Sequence, residues 1–526
     1  MKTYKYLSIV LASVALSSCD LDKAPYGTSN FWTTSGDVQM ALDGAYEPLY
    51  GEEGFGRGQF WAGIASDDMI VNRKKTDDEN ITEFRTSTNA SSGQYDNWDL
   101  MFTSIRRAND VLAHLDLVTD EVKRDCIEGE ASFLAAFAYF HLAKRYGGLP
   151  LYDYKNSFIE NLNLQRATKQ KTYEHMESLL LNSIEKFKKH NLWKRSQADS
   201  ESGRPTLGAA YGLLAKVYAH WGKFKEAKEA AEKVINSGQY SLDTTNNNGF
   251  KHLFSIEGEK HEEVLFNLTN RPERNNGTVT SIILLSGTLS QGIGWYYFAP
   301  TKSLVNAYED GDLRRQVTIK GIGDEVNYPA LIGANIPEGD GGGKVESLPL
   351  TLTKSWMADM STGYMCTKYA EPYEHLKSWD WEAGKDIPLL RYSDILLIHA
   401  EAEIMLAGGG PNNRDKGVAA ASKSFNEVRL RAFGGDGSKA IAEPTFNDLI
   451  KERRCELAYE DERHYDLVRW GLAKEVYAKG EEVEDPRGNR TFDPIKHSHF
   501  PIPQREIENT DNRLYNNPKD GYSNFN

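Results

Sequence analysis

Apolar positions recur every three to four residues over two long stretches of this chain, from Asp37 to about Gly238 and from about Pro388 to Gly480. That is the period of helices burying one face. Between them, residues 241–387 lose the period and gain Gly, Asn, Trp and Tyr, which predicts loops and short strands. The candidate helices fall into neighbours: Trp98–Leu117 with Val122–Tyr146, Thr172–Lys189 running on to Thr206–His220, Ile395–Leu406 with Ala419–Ala432, and Phe446–Tyr459 with Tyr465–Lys479. Gly147-Gly148 before Pro150, and Gly408-Gly409-Gly410-Pro411, are stop signals. Thr119 or Asp120 is placed to cap the following helix. Val122 and Lys123 stand three residues on, rather than Glu or Gln, so only half of a capping box is present.

One segment carries a repeat pattern. In Leu213–Ile235, Ala215 and Tyr218 share a face, Gly222 breaks the chain, Phe224 fills the turn, and Ala227 and Ala231 line the next helix. This resembles a tetratricopeptide helix pair. One pair cannot bury its apolar face alone, so neighbouring pairs must stack.

The first residues have a different character. Lys2 and Lys5 precede an apolar run, Leu7–Leu16, that ends in Leu16-Ser17-Ser18-Cys19. The plan is that of a secretory signal peptide. The run is far shorter than the roughly 20 residues needed to span a bilayer. Its closing cysteine matches the lipobox of bacterial lipoproteins. Residues 1–18 are therefore expected to be removed, Cys19 to become the acylated first residue, and 19–30 to form a polar tether. Mean hydropathy is −0.58 and no later stretch is apolar enough to cross a membrane. The formal net charge of −14 argues against a nucleic-acid partner, which rewards basic surface. Cys126, Cys366 and Cys455 are too few and too scattered for a disulfide framework or a metal cluster.

Several motifs, in order along the chain, resemble the RagB/SusD family. They are Phe31-Trp32 with Ala41–Tyr46, then Arg107-Ala108-Asn109, Glu128–Ala131, Tyr146–Pro150 and Arg204-Pro205-Thr206. Arg391–Ile395, Glu452–Leu457, Arg463–Trp470 and Phe500–Glu506 continue the series. The resemblance implies a mostly α fold of four tetratricopeptide-like helix pairs packed against a loop-rich half with short strands. It implies one domain over 31–526, with a helical part at 31–240, a loop-rich ligand platform at 241–387 and a second helical part at 388–526. It also implies a non-enzymatic lipoprotein of the outer membrane, exposed at the cell surface. Such a protein captures oligo- or polysaccharide and delivers it to a SusC-type TonB-dependent transporter. Peptides or another non-glycan nutrient are the alternative ligands, and an α-helical glycan-active enzyme is a more distant one.

The residue chemistry fits capture better than catalysis. Glu452, Glu456 and Glu460 follow one another at four-residue spacing and could offer paired carboxylates. With Arg453, Arg454, Arg463 and Arg469 in the same motifs, the resemblance implies an ion-pair lattice between stacked helices, since these residues recur in the family as framework. His497 with His499, and His399 with Glu401, are too sparse for a metal site. No cofactor motif is present: Gly339–Lys344 lacks Walker spacing and reads as a surface loop. No loop fits the spaced acidic ligands of an EF-hand. Trp98, Trp221, Trp356 and Trp470 fall in apolar patterns and are expected in the core. Aromatic rings in loops are different, since flat sugar faces stack on Trp and Tyr. The candidate ligand contacts are Trp295 and Tyr296, Trp379 and Trp381, and the polar pair Asn72 and Arg73.

Overall fold

The first helix, α1 (Ser35–Tyr50), opens on a reciprocal cap. The Thr34 hydroxyl accepts from Asp37 N at 3.3 Å, and the Asp37 carboxylate accepts the Thr34 N–H at 2.7 Å. The structure, a computed structural model, describes residues 31–72, 80–85, 92–194, 203–271, 278–290, 294–328, 331–369 and 384–514. After strand β1 (Met69–Val71) come α2 (Ser92–Ala113), α3 (Glu121–Tyr146), α4 (Lys169–Lys189), α5 (Leu207–Trp221) and α6 (Phe224–Ile235). Asp120 caps α3 by accepting from Lys123 N at 2.8 Å. Gly222 ends α5 at φ +81, a left-handed turn that a side chain would strain. Ala215, Ala227 and Ala231 are fully buried, so α5 and α6 approach closely. Among the helices, α1 packs on α2, α2 on α3, α3 on α4, α4 on α5 and α5 on α6.

The chain then leaves the helical stack. Residues 241–387 hold α7 (Gly249–Leu253), β2 (Val264–Leu268), α8 (Thr280–Leu284), β3 (Phe298–Pro300), α9 (Leu313–Thr318), β4 (Ile319–Gly321) and β5 (Tyr364–Cys366). Strand β6 (Ile387–Arg391) closes this part, so Pro388 begins no helix; it lies in a strand. Among the described residues each sheet has two strands, and the pairs β1–β3, β2–β6 and β4–β5 are all antiparallel. The β1–β3 pair sets Met69 against Pro300 and Val71 against Phe298, fastening the N-terminal part to the loop-rich half.

Helix α10 (Tyr392–Leu406) returns to the stack beside α6, although residues 236–391 intervene. It is followed by α11 (Ser422–Ala432), α12 (Phe446–Glu456) and α13 (Arg463–Arg469), and both α11 and α12 pack on α10. The expected single helix from Tyr465 to Lys479 is broken: Gly471 takes φ +71, and a separate short helix spans Ala473–Tyr477. One large core runs through the stack. Of two smaller ones, that around Phe60, Phe298 and Tyr459 joins the loop-rich half to both helical parts, and that around Ile282, Trp356 and Met365 lies within the loop-rich half. Trp98, Trp356 and Trp470 are buried as expected. Trp221 is only partly covered; it stacks on Tyr173 at 5.6 Å beneath the Lys223 ammonium. Cys366 and Cys455 are buried thiols, and Cys126 is half-buried; none is in a disulfide.

Candidate functional site

The segment leading into β3 is hung on the end of α8. Trp295 N donates to Ile282 O at 2.8 Å, Tyr296 N to Leu285 O at 2.9 Å and Tyr297 N to Ile283 O at 2.6 Å. These bonds occupy carbonyls that a helix end leaves without partners. Asn72 N in turn donates to Tyr297 O at 2.9 Å, continuing the β1–β3 ladder. Asn72 and the Trp295 segment, far apart in sequence, are thereby brought to one place. Trp295 is half-buried against both smaller cores, and Asn72 is also half-buried.

Tyr296 departs from the expectation of a ligand contact. It is 2% exposed, and its hydroxyl donates to Tyr364 O at 2.7 Å. Its backbone takes φ +43, and its ring is occupied by packing and by hydroxyl contacts to Tyr364 O and, at 3.4 Å, Thr362 Oγ1. Tyr297 is buried as well, with the Arg57 guanidinium 5.3 Å from its ring centre. Arg73, Trp379, Trp381 and Cys19 lie outside the described residues.

The glutamates spaced four apart are structural. Glu456, fully buried, accepts from Arg431 at 2.5 Å, Arg391 at 2.9 Å and Arg314 at 3.1 Å. Glu452 binds Arg314 at 2.6 Å, and Glu460 binds Lys368 at 2.5 Å and Arg391 at 2.6 Å. Arg391 and Arg431 both reach Glu263, at 2.8 and 3.0 Å. The lattice ties the loop-rich half to α11 and α12. Burial alone would raise the Glu456 carboxyl, but Arg431, Arg391 and Arg314 outweigh it and hold the group well below the usual glutamate range. A carboxylate so held is a poor proton donor or base at neutral pH. A second buried set joins Lys216 to Asp394 at 2.6 Å and Arg453 to Asp394 and Asp466, both at 2.8 Å.

The histidines fall into separate settings. His399 shares a cluster with Glu403 and Glu232, whose ligand atoms lie within 4.8 Å of one another. The Lys228 ammonium already sits 2.8 Å from Glu403 there. Glu401 belongs to another contact, accepting from the Trp470 indole at 2.8 Å. A second such cluster, His220 with Glu462 and Asp466, is filled by side-chain cations, with Lys216 2.9 Å from Glu462 and Arg469 2.8 Å from Asp466. His497 Nδ1 accepts the Asp493 N–H at 2.9 Å, while His499 lies over Gly147. In the loop Gly339–Lys344, Lys344 donates to Asn335 at 2.6 Å.

What sequence reasoning did not find is an open cleft of about 530 Å3 in the loop-rich half, bordered by α7, α9 and β4. Phe254, Tyr328 and four lysines are in its wall: Lys251, Lys320, Lys368 and Lys385. The signal was weak, because those lysines are scattered singly along the chain.

Comparison with known proteins adds a family. The profile described as "SusD family" matches residues 256–522, and one described as "Starch-binding associating with outer membrane" matches residues 21–219. A SusD-like protein of Formosa agariphila is 26% identical over 549 residues, covering 98% of this chain and 100% of its own length. A SusD-like protein of Bacteroides ovatus is 24% identical over 508 residues, covering 89% of this chain and 82% of its own. Among solved structures, surface glycan-binding protein A from Bacteroides thetaiotaomicron, in complex with laminarihexaose, superposes with a TM-score of 0.71 at 24% identity. The match covers 92% of this chain and 99% of that one. A laminarin-binding SusD-like protein gives a TM-score of 0.68 at 22% identity, with 92% and 99% covered. These likenesses establish the shared helical fold.

Proposed function

The chain belongs to the SusD family, and on that footing we propose that it is a surface lipoprotein that captures glycan and passes it to a SusC-type TonB-dependent transporter in the outer membrane. Cys19 would carry the acyl anchor, and residues 20–30 would be the leash. Trp295 is the contact of first choice. It is half-buried, on a segment hydrogen-bonded to Asn72, whereas Tyr296 is consumed by packing. Trp379, Trp381 and Arg73 remain candidates on sequence grounds.

Capture without turnover is the reading that the ion pairs favour. Glu456 and Glu460 are held ionised by buried cations, which weighs against acid–base work by these two, although burial raises the Glu452 carboxyl. Stacking and hydrogen bonding would hold the ligand, and release would come from the transporter side. The observation that carries the reading is the full-length match to SusD-like proteins, together with a half-covered tryptophan in the loop-rich half.

Calorimetry of the protein from residue 20 onward against plant, host and microbial polysaccharides tests it, with Trp295→Ala and Trp379→Ala alongside. Binding without hydrolysis, lost in either variant, supports glycan capture. Silence across the polysaccharides with binding of peptides would replace the glycan by another nutrient. Release of reducing ends would overturn the non-enzymatic reading.

A further inference from the structure

The chain is acidic, with a formal charge of −14, yet its open cleft gathers Lys251, Lys320, Lys368 and Lys385 against Glu257 and Glu325. These four lysines are not equivalent. Lys368 is buried and satisfied: its ammonium donates to the carbonyls of Glu456 and Ala458, at 3.3 and 2.9 Å, and to the Glu460 carboxylate at 2.5 Å. Lys320 and Lys251 have no such partner among the described residues. The aspartate nearest to Lys320 in the chain, Asp324, is engaged by Arg315 at 2.5 Å and by Gly321 N at 2.7 Å.

Lys320 is also held in place. It lies in the middle of β4, paired across the ladder with Met365 of β5. Half its side chain is covered, and this burial lowers the proton affinity of its ammonium. Asp324 and Glu325 oppose that effect, while Arg315 and Lys251 add to it. A half-buried cation with a like charge nearby, whose acidic neighbours Asp324 and Glu325 act on it without a direct ion pair among the described residues, keeps capacity for a further anion. Such an anion would pair with it at little cost in ordering the strand that carries it. Tyr328, half-buried in the same wall, is an aromatic neighbour for a sugar there, whereas Phe254 is buried beneath the Lys368 ammonium.

From this we propose that the cleft binds the acidic group of a charged saccharide, a uronate carboxylate or a sulfate ester, through Lys320 and Lys251. The inference rests on the glycan reading above and narrows it to acidic glycans. The net charge of −14 disfavours polyanions over the chain as a whole, so a local basic recess such as this one is where a polyanion would be held.

The test is calorimetry of the chain from residue 20 onward with polygalacturonate, alginate and chondroitin sulfate, each beside its carboxyl-reduced or desulfated form. The variants are Lys251→Gln, Lys251→Gln/Lys320→Gln and, as a surface control, Lys344→Gln. The expected result is that at least one acidic polymer binds and its neutralised form binds about tenfold more weakly or worse. The double variant should lose the same factor, and Lys344→Gln should lose none. Lys251 is exposed, so Lys251→Gln alone carries the test if the double variant does not fold. Equal binding of acidic and neutralised polymers, or a double variant that binds like the parent, overturns the proposal. Binding of neutral glycans only, lost in Trp295→Ala, would overturn it and leave the glycan reading standing. Binding of no polysaccharide would overturn both.

Discussion

Replacing Glu456 by Gln is the sharpest test of how the two halves of the molecule are held together. The side chain is fully buried and faces three arginines, Arg314, Arg391 and Arg431, at 3.1, 2.9 and 2.5 Å. Glutamine keeps the shape and removes the charge, leaving surplus positive charge that water does not reach. Breaking a buried ion pair from one side costs about 3–5 kcal/mol. With a urea slope of at least about 3 kcal/mol/M for a chain of this size, the unfolding midpoint should fall by roughly 1 M. Tryptophan fluorescence in urea at pH 7 reads it without adding salt. Glu456 has a carboxyl depressed in the folded state, so its contribution is fully present above the ordinary glutamate value of 4.5. That contribution is lost as pH falls through the depressed folded value. The gap between parent and variant should therefore be constant from pH 8 to pH 5 and narrow in more acidic solution. The double variant Glu456→Gln/Arg431→Met removes one cation with the anion and should recover part of the loss. A Glu456→Gln protein within about 1 kcal/mol of the parent at pH 7 would show that the lattice is solvated, and the reasoning from burial would fail.

Other outcomes follow from single contacts. Trp295→Ala should weaken glycan binding about tenfold or more while still unfolding cooperatively, at a lower midpoint because its packing against the two smaller cores is lost. Tyr296→Phe should leave affinity unchanged and cost about 1 kcal/mol of stability, because the hydroxyl's bond to Tyr364 O and its long contact with Thr362 Oγ1 are lost; a large affinity loss there would return Tyr296 to the binding surface. Gly222→Ala adds a methyl group that meets no atom within 4 Å, so its cost is purely the backbone at φ +81, about 1–2 kcal/mol by thermal unfolding. Asp461 is pushed up to about 6 by burial, against the pull of Arg145 and Lys144. A raised carboxyl favours the folded state at low pH and loses that advantage between about pH 4 and pH 6. Asp461→Asn should thus gain up to about 3 kcal/mol relative to the parent at pH 8 and nothing at pH 3.5. No gain at pH 8 would mean that the Arg145 and Lys144 charges outweigh burial.

The helices were legible because their signals are local. The 3.6-residue period, the Asp120 cap and the glycine at 222 each act within a turn or two of the chain. The lattice was half legible. The density of Glu and Arg between 452 and 469 announced ion pairs, but the loop-half partners Glu263, Arg314 and Lys368 are distant in sequence and carry no mark of it. The aromatic run at 295–297 was recognisable as special, yet nothing in it says which ring stays only half-buried. That is decided by hydrogen bonds to the end of α8 and by the packing that takes up Tyr296. The lysine cleft was invisible for the same reason: Lys251, Lys320, Lys368 and Lys385 meet only once the strands pair.

The return of α10 to the flank of α6 has a consequence for how such a protein can change over time. The helical stack is continuous in space while the chain makes its long excursion and comes back to the same seam. Closing a loop costs entropy only as the logarithm of its length, about 0.6 kcal/mol for each doubling. Lengthening, trimming or rebuilding the excursion is therefore cheap for the stack, provided Glu263, Arg314 and Lys368 keep their places in the lattice. Selection can rebuild this excursion wholesale and leave the helices untouched, a freedom that a stack made of consecutive helices would not have.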